Sequence, residues 1–244
     1  MRRLRLDEAL VARGFYPSRS RARDAVLRGT VKVDGAVATK PAQHIDHDAE
    51  IAVIDEARFY VSRGALKLKA ALDRFGLDPR ECDCLDIGAS TGGFTQLLLE
   101  RGAFHVTAID VGHGQLADTL RHDPRVIAVE GLNARDLTYD HVGYAPQFIT
   151  ADVSFISLKQ ALPPALKLAR QGATLVALIK PQFEAGRDAV GDTGIVKDPA
   201  VHAKVCRDIY QFLIQHGWTV LGLMPSPIGG GDGNLEFLIA ARKD

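Results

Sequence analysis

The chain of 244 residues is poor in cysteine, with three, and in methionine, with two; it has a single tryptophan and a formal net charge of zero at pH 7. Three thiols (Cys82, Cys84, Cys206) are too few for a disulfide scaffold, and Cys82-x-Cys84 has no second ligand pair at zinc spacing, so no metal site is expected. No apolar run approaches the ~18 residues that span a bilayer. The opening segment from Met1 to Gly14 lacks the apolar centre of a secretory signal, so the expectation is a soluble, cytoplasmic chain with no membrane partner. What is present, 46% hydrophobic and 25% charged residues, is ordinary globular composition and excludes a collagen-like or wholly disordered chain.

The zero net charge hides an asymmetry. Residues 1–40 carry ten basic side chains (Arg2, Arg3, Arg5, Arg13, Arg19, Arg21, Arg23, Arg28, Lys32, Lys40) and four acids (Asp7, Glu8, Asp24, Asp34), a net +6, which leaves −6 on the remainder. Such a separation fits an anion-binding module attached to an acidic body, or a solvated helical face that happens to be basic.

Pattern distinguishes the two. Leu6, Leu10 and Val11 mark one side of a short helix over 6–13, stopped by Gly14. Ser18 offers an N-cap oxygen to a second helix over 19–28, closed by Gly29. The alternation Val31-Lys32-Val33-Asp34-Gly35-Ala36-Val37, broken by Asp-Gly, predicts a hairpin. Within this stretch Arg5-Leu6-Asp7, Leu10, Gly14, Ser18-Arg19-Ser20-Arg21-Ala22, Gly29 and Val31 to Gly35 resemble the RNA-binding module named after ribosomal protein S four. The resemblance implies that Arg5, Arg19, Arg21, Arg23, Arg28 and Lys32 face RNA, where guanidinium groups make bidentate phosphate contacts and structured RNA is read by shape and backbone.

The chain turns acidic between Asp46 and Arg58, which predicts a boundary: a small α+β domain over 1–58 and a large one over 59–244. Ser62 is a good N-cap for a helix over 63–75, ended by Gly76. Then strands and helices alternate: strand 83–87, helix 93–101, strand 104–109, helix 114–121, strands 126–129 and 147–151, helix 158–170, strand 173–179. This predicts an α/β fold, a mainly parallel sheet covered on both faces. A helix from Pro199 to His216 follows, then strands 218–224 and 235–241 on either side of Gly229-Gly230-Gly231-Asp232-Gly233, which would add an antiparallel edge.

In an open sheet of this kind the ligand lies beyond the carboxyl ends of the strands. The first strand runs into Asp86-Ile87-Gly88-Ala89-Ser90-Thr91-Gly92-Gly93-Phe94, where glycines let the backbone approach a bound molecule and the next helix presents free amides. Asp110 ends the second strand, placed to accept from ribose hydroxyls. The loop does not spell G-x-G-x-x-G. Its D-x-G-x-x-x-G-G instead resembles motif I of methyltransferases that use S-adenosylmethionine (SAM), and the resemblance implies a cofactor contact for Asp86, Gly88, Ser90, Gly92, Gly93, Phe94, Asp110, Asn133 and Asp152.

Charged residues also stand where strand ends should converge: Asp152 after 148–151, Lys180 after 175–179 and Glu236 at the last apolar strand, with Lys67 one turn into the helix that precedes the first strand. Singly each has a bland explanation, a cap or a surface ion pair, but charged groups ending buried strands need partners. Taken with Ser62 to Leu68, Ala151 to Leu158, Lys180 to Gly186 and Gly233 to Phe237, they resemble the TlyA family over nearly the whole chain. That family combines the S four-like RNA-binding domain with an FtsJ-like, Rossmann-like SAM-dependent methyltransferase domain, and its members are often labelled haemolysins. The resemblance implies a ribosomal RNA 2′-O-methyltransferase acting on ribosomal RNA or ribosomal subunits, with Lys67, Asp152, Lys180 and Glu236 as catalytic tetrad and Arg63 on the RNA side. Asn133 departs from the FtsJ pattern, which often has Asp there. The rival readings are a membrane-active haemolysin and a non-catalytic RNA- or SAM-binding protein.

Overall fold

The computed structural model describes residues 3–186, 189–191, 194–230 and 233–244. Arg2 of the basic segment and Gly231 and Asp232 of the last glycine loop lie outside the described residues. The chain divides into two units, Met1–Phe59 and Tyr60–Asp244, one residue later than the boundary read from the sequence.

The first unit opens with β1 (Leu4–Arg5), α1 (Leu6–Ala12) and α2 (Arg19–Leu27). Strands β2 (Val31–Val33), β3 (Ala36–Val37), β4 (His44–Ile45) and β5 (Ile51–Val53) follow. The Ser18 hydroxyl accepts from the Arg21 amide and starts α2. Asp34 and Gly35, with φ of 48° and 80°, turn β2 into β3. β2 lies between β3 and β5 in an antiparallel sheet, and β1 pairs with β4. Leu6, Leu10, Ala22, Val26 and Val31 are wholly buried behind the two helices. Beside this small core the Tyr16 hydroxyl and Arg28 both donate to Asp55 Oδ2 at 2.7 Å.

In the second unit α3 (Gly64–Phe75) precedes β6 (Asp83–Ile87), α4 (Gly93–Glu100), β7 (His105–Asp110), α5 (Asp118–Arg121) and β8 (Val126–Glu130). Then come α6 (Tyr139–Val142), β9 (Phe148–Ala151), α7 (Leu158–Ala161), α8 (Pro163–Leu168), β10 (Thr174–Ile179) and α9 (Pro181–Glu184). The chain ends with α10 (Pro199–Gln215), β11 (Trp218–Pro225) and β12 (Phe237–Lys243). The sheet order is β11-β12-β10-β9-β6-β7-β8, with β6 to β10 parallel. β12 runs antiparallel between β10 and β11, so the final hairpin makes the antiparallel edge. Side chains alternate across the sheet. In β10, Leu175, Ala177 and Ile179 join one apolar cluster while Val176 and Leu178 join the other. The order of strands reverses at β6, flanked by β9 and β7, and the loops after these three strands build the site described below.

Three sequence expectations change. The helix expected over 114–121 exists only as α5; the chain before it is irregular, with the amides of Gly112 and Gly114 donating to the carboxylates of Asp110 and Glu130. The helix expected over 158–170 is two pieces, since Pro163 and Pro164 have no N–H for a continuous ladder. The last strand begins at Phe237, which leaves Glu236 in the loop just before it. Among the described residues no helix is long and apolar enough to cross a membrane.

Candidate active site

The turn after β6 is built for close backbone approach. Gly88 has φ of 78°, and a Cβ there would stand 2.5 Å from the carbonyl oxygen of Asp152. Only glycine lets the β6 and β9 loops pass this closely. Gly92, with φ of 97°, serves packing instead: a Cβ would meet Leu120 Cδ1 at 2.3 Å. A Cβ on Gly93 would collide with the Ser62 hydroxyl at 2.1 Å, so this glycine lets the start of α4 lie against the start of α3.

Beyond these strand ends lie two cavities. The larger, of about 430 Å³, is lined by Gly88, Asp110, Gln115, Asn133, Val153 and Phe155 among others. The smaller, of about 270 Å³, is bordered by Arg63, Lys67, Ser90, Gly93, Phe94 and Lys180. Gly88, Ser90, Asp152 and Ser154 line both, so the cavities meet at the ends of β6 and β9.

In the larger cavity Asp110 accepts from the Ser90 amide at 2.8 Å and from the Gly112 amide at 2.7 Å, one on each oxygen. A carboxylate has about four acceptor sites, so this one can still take hydroxyls. Asn133 caps the short turn over Ala134–Asp136, its Oδ1 accepting from the Arg135 amide at 3.1 Å. Phe155 is 92% exposed, with φ of 63°, and its ring lies 5.2 Å from that of Phe183. Holding a bulky residue in the left-handed region costs stability, and such residues cluster at functional sites.

Asp86 differs from its expected position. It is fully buried and lines neither cavity: Thr95 Oγ1 donates to one oxygen at 2.7 Å and Thr150 Oγ1 to the other at 2.8 Å. Burial above all pushes its carboxyl up to about 6, and the nearby Asp152 adds to the rise while the two hydroxyls oppose it. It braces β6 against β9 and α4 from within the sheet.

The four charged residues at the strand ends meet as two pairs. Lys67 Nζ lies 2.5 Å from Glu236 Oε2, with the side chains 11% and 3% exposed. Lys180 Nζ lies 2.6 Å from Asp152 Oδ1 and donates to Ser154 Oγ at 2.9 Å. The approach of Lys180 to Asp152 is that of an ion pair off the hydrogen-bonding directions, and Oδ1 has no hydrogen-bond donor of its own. Lys67, Asp152 and Lys180 all line the smaller cavity, and Glu236 reaches it through Lys67.

Sequence reasoning missed Ser154 and Phe155, which sit among the quoted residues Ala151 to Leu158 but carry no distinctive spacing. It missed Thr95 and Thr150 because buried threonines read as ordinary strand and helix residues. Glu184 was also passed over; it accepts from the Ser157 hydroxyl and from the Leu158 amide at 2.7 Å, anchoring the loop that carries Ser154 and Phe155.

In the first unit the basic residues separate into two groups. Arg28 is committed to Asp55, whose side chain is 3% exposed, so it holds the fold. Arg13 donates to the carbonyls of Ala49 and His47, and Arg21 to that of Ala57. Arg5 and Arg19 share Asp7. Arg23 is exposed and Lys32 half-buried. Arg63, in the second unit, borders the smaller cavity.

A seven-stranded sheet with glycine-loop cavities at its strand switch is the architecture of a SAM-dependent methyltransferase domain, here joined to a small α+β unit. Residues 60–243 match the FtsJ-like methyltransferase family and residues 4–51 the S4 domain. An S-adenosylmethionine-dependent methyltransferase of Listeria monocytogenes, 15% identical, shares the fold at a TM-score of 0.55 over 75% of this chain and all of that one. The chain is 44% identical over 242 residues to the 16S/23S rRNA (cytidine-2′-O)-methyltransferase TlyA of Mycobacterium tuberculosis, covering 99% of this chain and 90% of that protein. A solved structure described as a hemolysin, from Streptococcus thermophilus, is 42% identical with a TM-score of 0.77, covering all of this chain and 89% of that one. The chain belongs to the TlyA family.

Proposed function

We propose that this chain transfers a methyl group from SAM to a ribose 2′-hydroxyl of ribosomal RNA, free or in ribosomal subunits. The observation that carries the reading is Lys180, held by Asp152 and Ser154 where the two cavities meet. SAM supplies an electrophilic methyl group. The larger cavity suits its nucleoside, with Asp110 accepting from ribose hydroxyls and Asn133 and Phe155 beside the base. The Gly88 cradle, which a Cβ would fill, and the start of α4 at Gly93, which borders the smaller cavity, suit the amino acid end.

A 2′-hydroxyl is a weak nucleophile at neutral pH and must be aligned and relieved of its proton as the bond forms. Lys180 orients the hydroxyl or, once it has given its own proton to solvent, takes the hydroxyl's proton as the methyl is transferred. Asp152 sets the charge and position of Lys180, Glu236 does the same for Lys67, and Lys67 supports the hydroxyl or the adjoining phosphate. Arg63 adds a guanidinium for the RNA backbone at the cavity rim. Arg5, Arg19, Arg21, Arg23 and Lys32 of the first unit grip RNA phosphates, contacts that position a molecule more than they read its sequence. A ribosomal RNA substrate puts the working chain in the cytoplasm.

Transfer of labelled methyl from SAM to ribosomal RNA, followed by mass-spectrometric mapping of ribose methylation in cells with and without the protein, tests the function. Lys180→Ala should abolish transfer while SAM still binds. An unchanged methylation map, or turnover surviving that substitution, would overturn the reading.

A further inference from the structure

Arg5 and Arg19 come from different elements, the first from the end of β1 and the second from the start of α2. They converge on one carboxylate. Asp7 Oδ1 accepts from Arg5 Nε at 3.1 Å, and Oδ2 accepts from a terminal nitrogen of Arg5 at 2.9 Å and of Arg19 at 3.2 Å. The Asp7 side chain is 5% exposed, whereas those of Arg5 and Arg19 are 38% and 55% exposed. The acid therefore lies beneath and the two guanidinium groups above it. The arginines hold the Asp7 carboxyl down at about 2, with the Arg5 hydrogen bond the largest cause.

A second acid meets the same two arginines from the solvent side. Glu8 Oε1 lies 3.1 Å from Arg19 and 3.8 Å from Arg5, and its side chain is 42% exposed. One carboxylate oxygen thus bridges both guanidinium groups, as an oxygen of a nucleic-acid phosphate would.

We infer that Asp7 is a positioning residue, fixing Arg5 and Arg19 as a two-pronged receptor for one RNA phosphate, and that Glu8 occupies the phosphate's place until RNA displaces it. This rests on the RNA-binding reading above. Two guanidinium groups side by side repel each other, and each arginine loses side-chain freedom when held. The buried carboxylate offsets the repulsion and orders both side chains before RNA arrives, so the phosphate does not bear that ordering cost. Arg5 spends two of its donors on Asp7 and Arg19 one, and each guanidinium has five, so both retain N–H groups for an oxyanion.

The inference makes equal charge changes act in opposite directions. Asp7→Asn, Glu8→Gln and Asp48→Asn each remove one negative charge from the unit, and the exposed Asp48 touches neither arginine. The full-length chain and its variants are titrated with labelled ribosomal RNA at several salt concentrations by filter binding, with a thermal melt of each. Asp7→Asn should bind about tenfold more weakly despite its added positive charge. Glu8→Gln should bind several-fold more tightly with a steeper salt dependence, because phosphate then displaces counterions instead of Glu8. Asp48→Asn should stay within about twofold of the parent, as a single exposed charge is screened.

Asp7→Asn binding as tightly as the parent, or Glu8→Gln matching Asp48→Asn, overturns the inference. If the melt shows Asp7→Asn unfolded, the comparison of Glu8→Gln with Asp48→Asn still decides. An unaltered chain that shows no salt-dependent binding overturns the RNA-binding reading and this inference together. Binding by the parent with all three variants shifted alike overturns the inference alone.

Discussion

Lys67 and Glu236 stand 169 residues apart in sequence and 2.5 Å apart in the fold, joining α3 to the loop before β12. A buried pair of this kind is worth less than the damage done by breaking it, because the survivor is left as an uncompensated charge. Glu236→Gln should therefore lower unfolding free energy by about 3–5 kcal/mol in urea titrations. Adding Lys67→Met, which removes the stranded ammonium, should restore most of that stability while methyl transfer stays absent. A double variant as unstable as the single one would show that the pair stabilises by its own attraction.

The glycines after β6 and β7 give a matched test. Gly88 and Gly114 both have positive φ, but a Cβ on Gly114 meets nothing within 4 Å while one on Gly88 stands 2.5 Å from the Asp152 carbonyl. Gly114→Ala should lose about 1 kcal/mol from backbone strain and keep its turnover. Gly88→Ala carries the same strain and must also push away the backbone that presents Asp152 to Lys180. Urea titration and single-turnover methyl transfer should show it losing both more stability and more rate. Equal losses in the two variants would remove the close approach at Gly88 from the explanation.

The strand-loop-helix unit from Asp83 to Glu100 was legible because apolar alternation, a glycine run and an amphipathic helix are local signals. Residues 114–117, expected as the first turn of a helix, were not: the Gly114 amide donates to the Glu130 carboxylate and the Ala117 amide to the Thr91 carbonyl, partners supplied by the fold and not by propensity. The same limit explains Asp86. Family resemblance put it near the cofactor, but it is fully buried outside both cavities and held there by Thr95 and Thr150, the second of them 64 residues away. Arg28 looked like its neighbours on α2 until Asp55, 27 residues on, claimed it. The four charged positions were legible from their place at strand ends and on the preceding helix, their reading as a tetrad came from family resemblance, and only the fold shows that they form two separate ion pairs.

Asp86 also gives the protein a pH signature. Its carboxyl titrates at about 6 when folded, against the usual 3.8, with burial the main cause. Between those values the unfolded chain has released a proton that the folded chain keeps. This contribution therefore lowers stability as pH rises from about 4 to about 6, by ~3 kcal/mol in all, and is constant above that window. Asp86→Asn has no such proton to lose. Urea titrations of both proteins at pH 4, 5, 6 and 7 should show the parent losing ground to the variant across the window. A difference independent of pH would mean that the buried carboxyl ionises as an exposed one does.

Two arginines of one helix region should fail in different ways. Arg23 is exposed and, among the described residues, has no acceptor paired with it. Arg28 donates at 2.7 Å to Asp55, a nearly buried acid that also holds the Tyr16 hydroxyl. Arg23→Ala should melt like the parent, bind ribosomal RNA more weakly and lower the salt slope by about one. Arg28→Ala strands the Asp55 carboxylate, which costs about 3 kcal/mol, a large fraction of what so small a core supplies. It should show an early-melting transition from the first unit, with RNA affinity recovering on cooling below that transition. An Arg28→Ala protein that melts like the parent yet binds RNA weakly would return Arg28 to the RNA-facing group, where the sequence alone had put it.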